Sequence, residues 1–289
     1  VVKMDNISKV LFFSIFTIYA SCQTKKSEMI GTDWNLFKET PAWEYAKAVR
    51  DQEIVRFDKI LAESKLDIDY EESKFGRSIL QVAVLNNLDK SVQKLLELGA
   101  DPNHYSKTEG KTALHDAVGV FQHNDDTTVL SLLLKHNGDP NAFTHQQAGA
   151  DPKNVISLLC GNVYSQPTKL KLLLKYNVDL SFSSDDNSNY LYSALRSKNY
   201  ELVDILLQSG ADFKKPILTK INGQKIYIQE YMKNQIIDLK STDYLYKVKV
   251  INFLEANGIN YKNLKPSQET IERVKRNFPD YWEEYLNKF

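Results

Sequence analysis

Cysteine is almost missing from this chain: Cys22 and Cys160 are the two in 289 residues, too few for a disulfide framework. An excess of one charge is missing too. Lys and Arg number 37, as do Asp and Glu. A chain with no net charge lacks the basic footprint that phosphate backbones select for, which argues against nucleic acid as a partner. The conspicuous apolar run, Val10 to Ala20, is too short to span a bilayer as a stable helix. There is also no nucleophile elbow, no phosphate loop and no HExxH helix. Hydrophobic residues make up 42% of the chain, enough for a folded core, so stability has to come from packing.

What is present is one phrase written several times. An apolar triplet at helical spacing is followed by a Gly or Asn turn that closes on Asp. It reads Val92, Leu95, Leu96 before Gly99-Ala100-Asp101-Pro102-Asn103, and Leu130, Leu133, Leu134 before Asn137-Gly138-Asp139-Pro140-Asn141. It returns as Leu170, Leu173, Leu174 before Asn177-Val178-Asp179, and as Val203, Leu206, Leu207 before Gly210-Ala211-Asp212. Self-similarity at a period of roughly 33 residues is the mark of a stacked repeat array. A second apolar triplet precedes each phrase: Leu80, Ala83, Val84; Leu114, Ala117, Val118; Ile156, Leu159, Cys160; and Leu191, Ala194, Leu195. Tyr45, Ala48, Val49 with Phe57, Ile60, Leu61 start the series, and each pair predicts a helical hairpin that buries its stripe against its neighbours.

Thr112-Ala113-Leu114-His115-Asp116-Ala117 is close to the T-P-L-H-x-A phrase of ankyrin repeats, with Ala113 in place of Pro. With the Gly-Ala-Asp-Pro-Asn exits, the chain resembles that family over about residues 41 to 262. The resemblance implies an all-α ankyrin-repeat solenoid of helix-turn-helix units with short β-hairpin fingers and a concave binding face. Local chemistry agrees: Gly99 and Gly210 suit left-handed helix ends, Pro102 and Pro140 stop a helix, and Thr112 suits an N-cap. Phe121 to Asp126 lengthens one inter-helix loop and Gln146 to Pro152 one finger, so the stack is expected to distort there. Ile228, Tyr231, Met232 and Val250, Phe253, Leu254 mark a degenerate last hairpin, with Lys240 to Asp243 as an inserted loop. Ile271, Val274, Phe278 and Tyr281, Trp282, Tyr285 mark a C-terminal cap. The expected division is residues 1–21 signal peptide, 22–40 tether, 41–262 repeats in about five to six units, and 263–289 helical cap. Trp34, Leu36 and Phe37 of the tether are expected to fold back onto the first repeat.

Lys3 and Lys9, the apolar run and then Ala20-Ser21 have the layout of a secretory signal peptide. Tyr19-Ala20-Ser21-Cys22 resembles a bacterial lipobox, with Tyr19 where the family usually carries Leu, and implies lipidation of Cys22. Met4 is an alternative start. Gln23 after the Cys, by resemblance to lipoprotein sorting rules, implies the outer membrane facing the periplasm, with the lipid as the only membrane contact.

The chemistry-bearing residues read as structure. His115 holds the family's structural His position, where the imidazole ties one finger to the next. His104 and His145 lie on finger loops without zinc-like spacing, and His123 and His136 are expected to face solvent. Cys160 falls on a buried stripe. No catalytic residue, no metal and no cofactor is expected. By the family's register, the partner-binding candidates are Lys74, Phe75, Arg77, Asn86, Lys107, Glu109, Lys111, Asp185, Asp186, Ser188 and Arg196, with the finger aromatics Tyr105, Phe143 and Phe182 as anchors. The expectation is a monomeric, non-enzymatic, envelope-tethered scaffold for a protein partner, with immunity to a periplasmic toxin as its narrower form. The alternatives are an accessory partner of a periplasmic enzyme, or an enzyme with a site near residues 143–165.

Overall fold

The computed structural model describes residues 30–119, 124–145, 152–162, 164–181 and 189–288. Within them six helical hairpins follow one another. Their helix pairs are Trp43–Arg50 with Ile54–Ser64, Ile79–Leu85 with Asp89–Glu97, and Ala113–Val118 with Thr128–Lys135, then Val155–Gly161 with Pro167–Lys175, Tyr190–Arg196 with Tyr200–Gln208, and Ile228–Lys233 with Thr242–Ala256. Each triplet read from the sequence lies on the inner stripe of its helix, and the stripes merge into one continuous core. Leu80, Leu95, Leu114, Leu133, Leu159, Leu173, Leu195 and Leu206 are fully buried. Each hairpin supplies half of two interfaces and cannot close its core alone.

The repeated exit phrase has a physical cause at every position. Gly99 and Gly210 leave their helices at φ 98° and 92°, and Asn137 and Asn177 do so at 65° and 57°, the left-handed cap that Gly and Asn tolerate best. The Asp that follows then closes an Asx turn. Its Oδ1 accepts the N–H two residues on, from Asn103 at Asp101, Asn141 at Asp139, Ser181 at Asp179 and Lys214 at Asp212, at 2.7 to 3.0 Å. The exits are also laced together. Asn103 donates to the Asn137 carbonyl at 2.9 Å and accepts from the Asp139 N–H at 2.7 Å, and Asn141 repeats this with Asn177 and Asp179.

The stack is irregular where the long loop was expected. The second helices of the second and third hairpins pack together, whereas those of the third and fourth barely touch. The loop fills part of the gap: the Asp125 carboxylate accepts the Thr168 and Lys169 N–H groups at 2.8 and 2.9 Å. It caps a helix that opens on Pro167. The Lys169 ammonium, 2% exposed, reaches in to the Ala117 carbonyl at 3.1 Å.

Both ends are sealed. Trp34–Phe37 forms a 3-10 turn whose Trp34, Leu36 and Phe37 are buried in the core, so the folded body reaches back past residue 40, to at least Ile30, and takes in part of the expected tether. At the other end Gln268–Asn277 and Trp282–Lys288 enclose a small core of Val274 and Tyr285. The Tyr285 hydroxyl donates to the Ile237 carbonyl at 2.6 Å and accepts its N–H at 2.8 Å. The segment expected to be a signal peptide and Cys22 lie outside the described residues, and among these no helix is long and apolar enough to cross a membrane.

Candidate binding surface

The finger between the first and second hairpins is held by Glu72. Its buried carboxylate accepts the N–H groups of Lys74, Phe75 and Arg77 at 2.7 to 3.0 Å, which fixes a tight turn without a long strand. In the next finger Ser106 and Lys111 take the same roles, with the Ser106 N–H donating to the Lys111 carbonyl at 2.9 Å. Successive fingers are then joined through their backbones. Lys107 and Thr108 donate to the Gly76 and Phe75 carbonyls at 3.2 Å each, and His145 donates to Gly110 at 2.8 Å. A Cβ on Gly76 would sit 2.7 Å from Lys107, and one on Gly110 would sit 2.6 Å from the His145 carbonyl oxygen. Glycine is therefore what lets the fingers touch.

Side chains reinforce this row. Tyr105 stacks on His145 with ring centres 3.6 Å apart. His104 bonds Glu71 at 2.7 Å, and Lys107 pairs with the same carboxylate. Glu109 lies between Arg77 at 2.5 Å and Lys111 at 3.1 Å. Burial opposes its ionisation, but the two cations outweigh that and hold its pKa below the usual range. Asp116, 4.0 Å from Arg77, is deeper, and burial raises its pKa to about 7 against the pull of Arg77 and Lys111.

These contacts sort the residues named from the sequence. Arg77 does not lie on the groove as expected: it is 1% exposed, with Gly31 packed so closely over its Nη1 that a Cβ there would clash. Asn86 is half-buried and donates to the Thr32 and Val82 carbonyls at 3.0 and 2.8 Å. The Ile30–Asp33 segment thus covers the groove at the second hairpin. Glu109 and Lys111 are half-buried in the ion cluster. Phe75 is half-buried under Lys74, Tyr105 is engaged with His145, and Phe143 is half-buried and bridged through its backbone to Asn154. Lys74, Lys107 and Arg196 stand exposed along the groove. Phe182, Asp185, Asp186 and Ser188 lie outside the described residues.

The histidines and the thiol take structural places. His115 is buried, and its Nδ1 accepts the Thr112 N–H at 3.1 Å, completing the helix start. The neutral imidazole then carries its proton on Nε2, toward the backbone of Ala142 and Lys153 on the following finger, and burial lowers its pKa to about 4. His136 is half-buried and lies 3.0 Å from the Leu132 carbonyl instead of facing solvent alone. Cys160 is fully buried in the apolar core and burial pushes its thiol pKa up, so it offers no nucleophile to a site near residues 143–165. No group of three metal-ligating side chains gathers among the described residues.

One surface element escaped the sequence reading. Leu218–Thr219 pairs with Lys225–Ile226 as an antiparallel hairpin, and it carries Ile221 fully exposed at its tip. Asn222-Gly223 was the available clue, a tight-turn dipeptide between two short extended runs.

Comparison with known proteins agrees with this geometry. The ankyrin repeat family matches residues 109–145, the stretch that holds the third hairpin and its fingers. An ankyrin repeat protein of Acanthamoeba polyphaga mimivirus is 23% identical over 73% of this chain and 48% of its own length. One from fowlpox virus is 28% identical over 54% of this chain and 43% of its own. Rabankyrin-5 of Mus musculus is 27% identical over 49% of this chain and 11% of its own length. The chain thus spans less than half of each of these relatives.

Proposed function

We propose that this chain, whose repeats resemble those of the ankyrin family, works as a non-enzymatic scaffold that binds a protein partner through the groove lined by its fingers and first helices. The observation that carries this is the finger row: the first two turns are fixed by Glu72 and Ser106, and each is joined by backbone bonds to the next finger. A surface so preorganised spends little conformational entropy on binding. Lys74, Lys107 and Arg196 give it exposed cations at intervals along the array, the pattern that steers and registers a partner of opposite charge.

The finer part of the proposal is a cellular role. With Cys22 lipidated the scaffold sits in the bacterial envelope, facing the periplasm, and neutralises a toxin delivered there. Tethering then raises its local concentration where the toxin acts. Two experiments test the levels separately. Pulldown from native envelopes with the intact chain and with a Lys74→Glu, Lys107→Glu, Arg196→Glu variant should lose a partner in the variant, and identical captures would refute the groove reading. Deletion of the gene should be lethal only alongside the cognate toxin, and a partner enzyme that merely loses activity on deletion would assign the scaffold an accessory role instead. Cys22→Ala should release the protein from membranes, and continued sedimentation with membrane would overturn the lipid anchor.

A further inference from the structure

The end of the finger row is built differently from its interior. In one interior unit the chain runs from the exit at Gly99 to the helix cap at Thr112 and makes a finger on the way. After the last hairpin it runs from Gly258 straight to the cap at Ser267, which is too short to include one. The hairpin at Leu218–Ile226 therefore has no successor. Its turn glycine records the difference: Gly223 is left-handed at φ 81°, like Gly76 at 66° and Gly110 at 59°, but nothing described lies within 4 Å of where its Cβ would be, whereas both others abut the next finger.

A cleft of about 620 Å³ opens beside that hairpin. One face of the hairpin lines it, with Leu218 and Ile226 from the strands and Lys220 and Gln224 from the turn just beyond them, as alternation requires for residues two apart. Leu264, Lys265 and Arg273 from the cap side close the opposite wall. Lys265 and Arg273 are exposed and form no ion pair among the described residues, and Lys220 is held only by Gln224. Four cations line the cleft, Lys220, Lys233, Lys265 and Arg273, against two carboxylates, Glu230 and Glu269, and Glu230 is already engaged with the Tyr227 N–H at 3.0 Å.

We propose that this cleft is a docking site for an extended acidic segment of a partner protein, which lies across the last finger where a further finger would lie. The apolar side chains of the segment would meet Leu218, Ile226 and Leu264, and its carboxylates would meet Lys220, Lys265 and Arg273. The site shares no residue with the groove candidates, so it stands or falls independently of them.

The test uses the full chain and a fluorescent peptide of alternating glutamate and valine, titrated by anisotropy beside its lysine–valine counterpart. The acidic peptide should bind at least roughly tenfold more tightly. A Lys265→Glu, Arg273→Glu variant should lose that preference, while Lys74→Glu at the far end of the array keeps it. Because both changed side chains are exposed, an unaltered melting curve certifies the fold, and Lys265→Gln, Arg273→Gln should fall between. Absence of saturable binding, equal binding of both peptides, or binding indifferent to the double reversal would overturn the proposal. Self-association that the same reversal abolishes would assign the cleft to a second copy of the chain and would overturn it too.

Discussion

Two neighbouring junctions of the array solve the same packing problem differently. Between the second and third hairpins, helices stack on helices and fingers bond to fingers, and a row of side chains laces the exits. Between the third and fourth, the exits are still laced by Asn141, but the second helices part, and a loop carboxylate with a buried lysine spans the gap. Repetition thus survives longest in the turns, where backbone geometry dictates the contact. It fails first between helices, where a longer loop can change the spacing.

The largest effects should come from truncating matched core leucines. Leu95→Ala and Leu173→Ala each remove a fully buried side chain and should each cost roughly 2 to 5 kcal/mol in urea unfolding. Leu173→Ala should be the milder, because its looser junction can collapse into the cavity. Equal losses would mean that the splayed junction is as well packed as the regular one. Gly110→Ala and Gly223→Ala should come next. Both carry the left-handed penalty of about 1 to 2 kcal/mol, but only Gly110 adds a clash with His145. A smaller loss at Gly110 than at Gly223 would remove finger contact as a source of stability.

Asp125→Ala should cost about 0.5 to 2 kcal/mol, the usual worth of a helix cap, and should loosen amide protection in the Pro167–Lys175 helix while leaving Asp89–Glu97 unchanged. Protection lost equally in both would contradict the loop's local role. The last effect is a pH slope at the regular junction. Asp116 is raised to about 7 in the folded chain, so the unfolded chain releases its proton first, and the stability this group contributes below its ordinary pKa is lost as pH rises toward 7. His115, lowered to about 4, acts in the opposite sense and gains stability as pH climbs from 4 to its ordinary value. Asp116→Asn should therefore gain on the native protein steadily between pH 4 and pH 7, and parallel curves would show that Asp116 is not protonated in the fold.

Much of this was legible in the sequence because it is local. The Leu triplets, the left-handed exits and the Asp turns each depend on residues a few positions apart, and Cys160 and His115 followed from the same register. Arg77 was misplaced because what buries it is distant along the chain: Gly31 covers it and Glu109 pairs with it. The same is true of Asn86, taken up by Thr32. The loop from Phe121 to Asp126 was visible as an irregularity, yet that Asp125 would cap a helix in the next unit depends on a junction no local pattern records. The hairpin at Leu218–Ile226 was missed for another reason. It departs in length from the other fingers, so the register that found them passed over it.

The burial of Trp34 and Phe37 in the first unit bears on how the array would respond to tension. A load applied through the chain ahead of Ile30 enters the core directly, at the outermost turn of a structure whose units hold only their neighbours. The molecule would then yield by peeling, one hairpin after another from that end, and the far cap would be the last part to feel the pull.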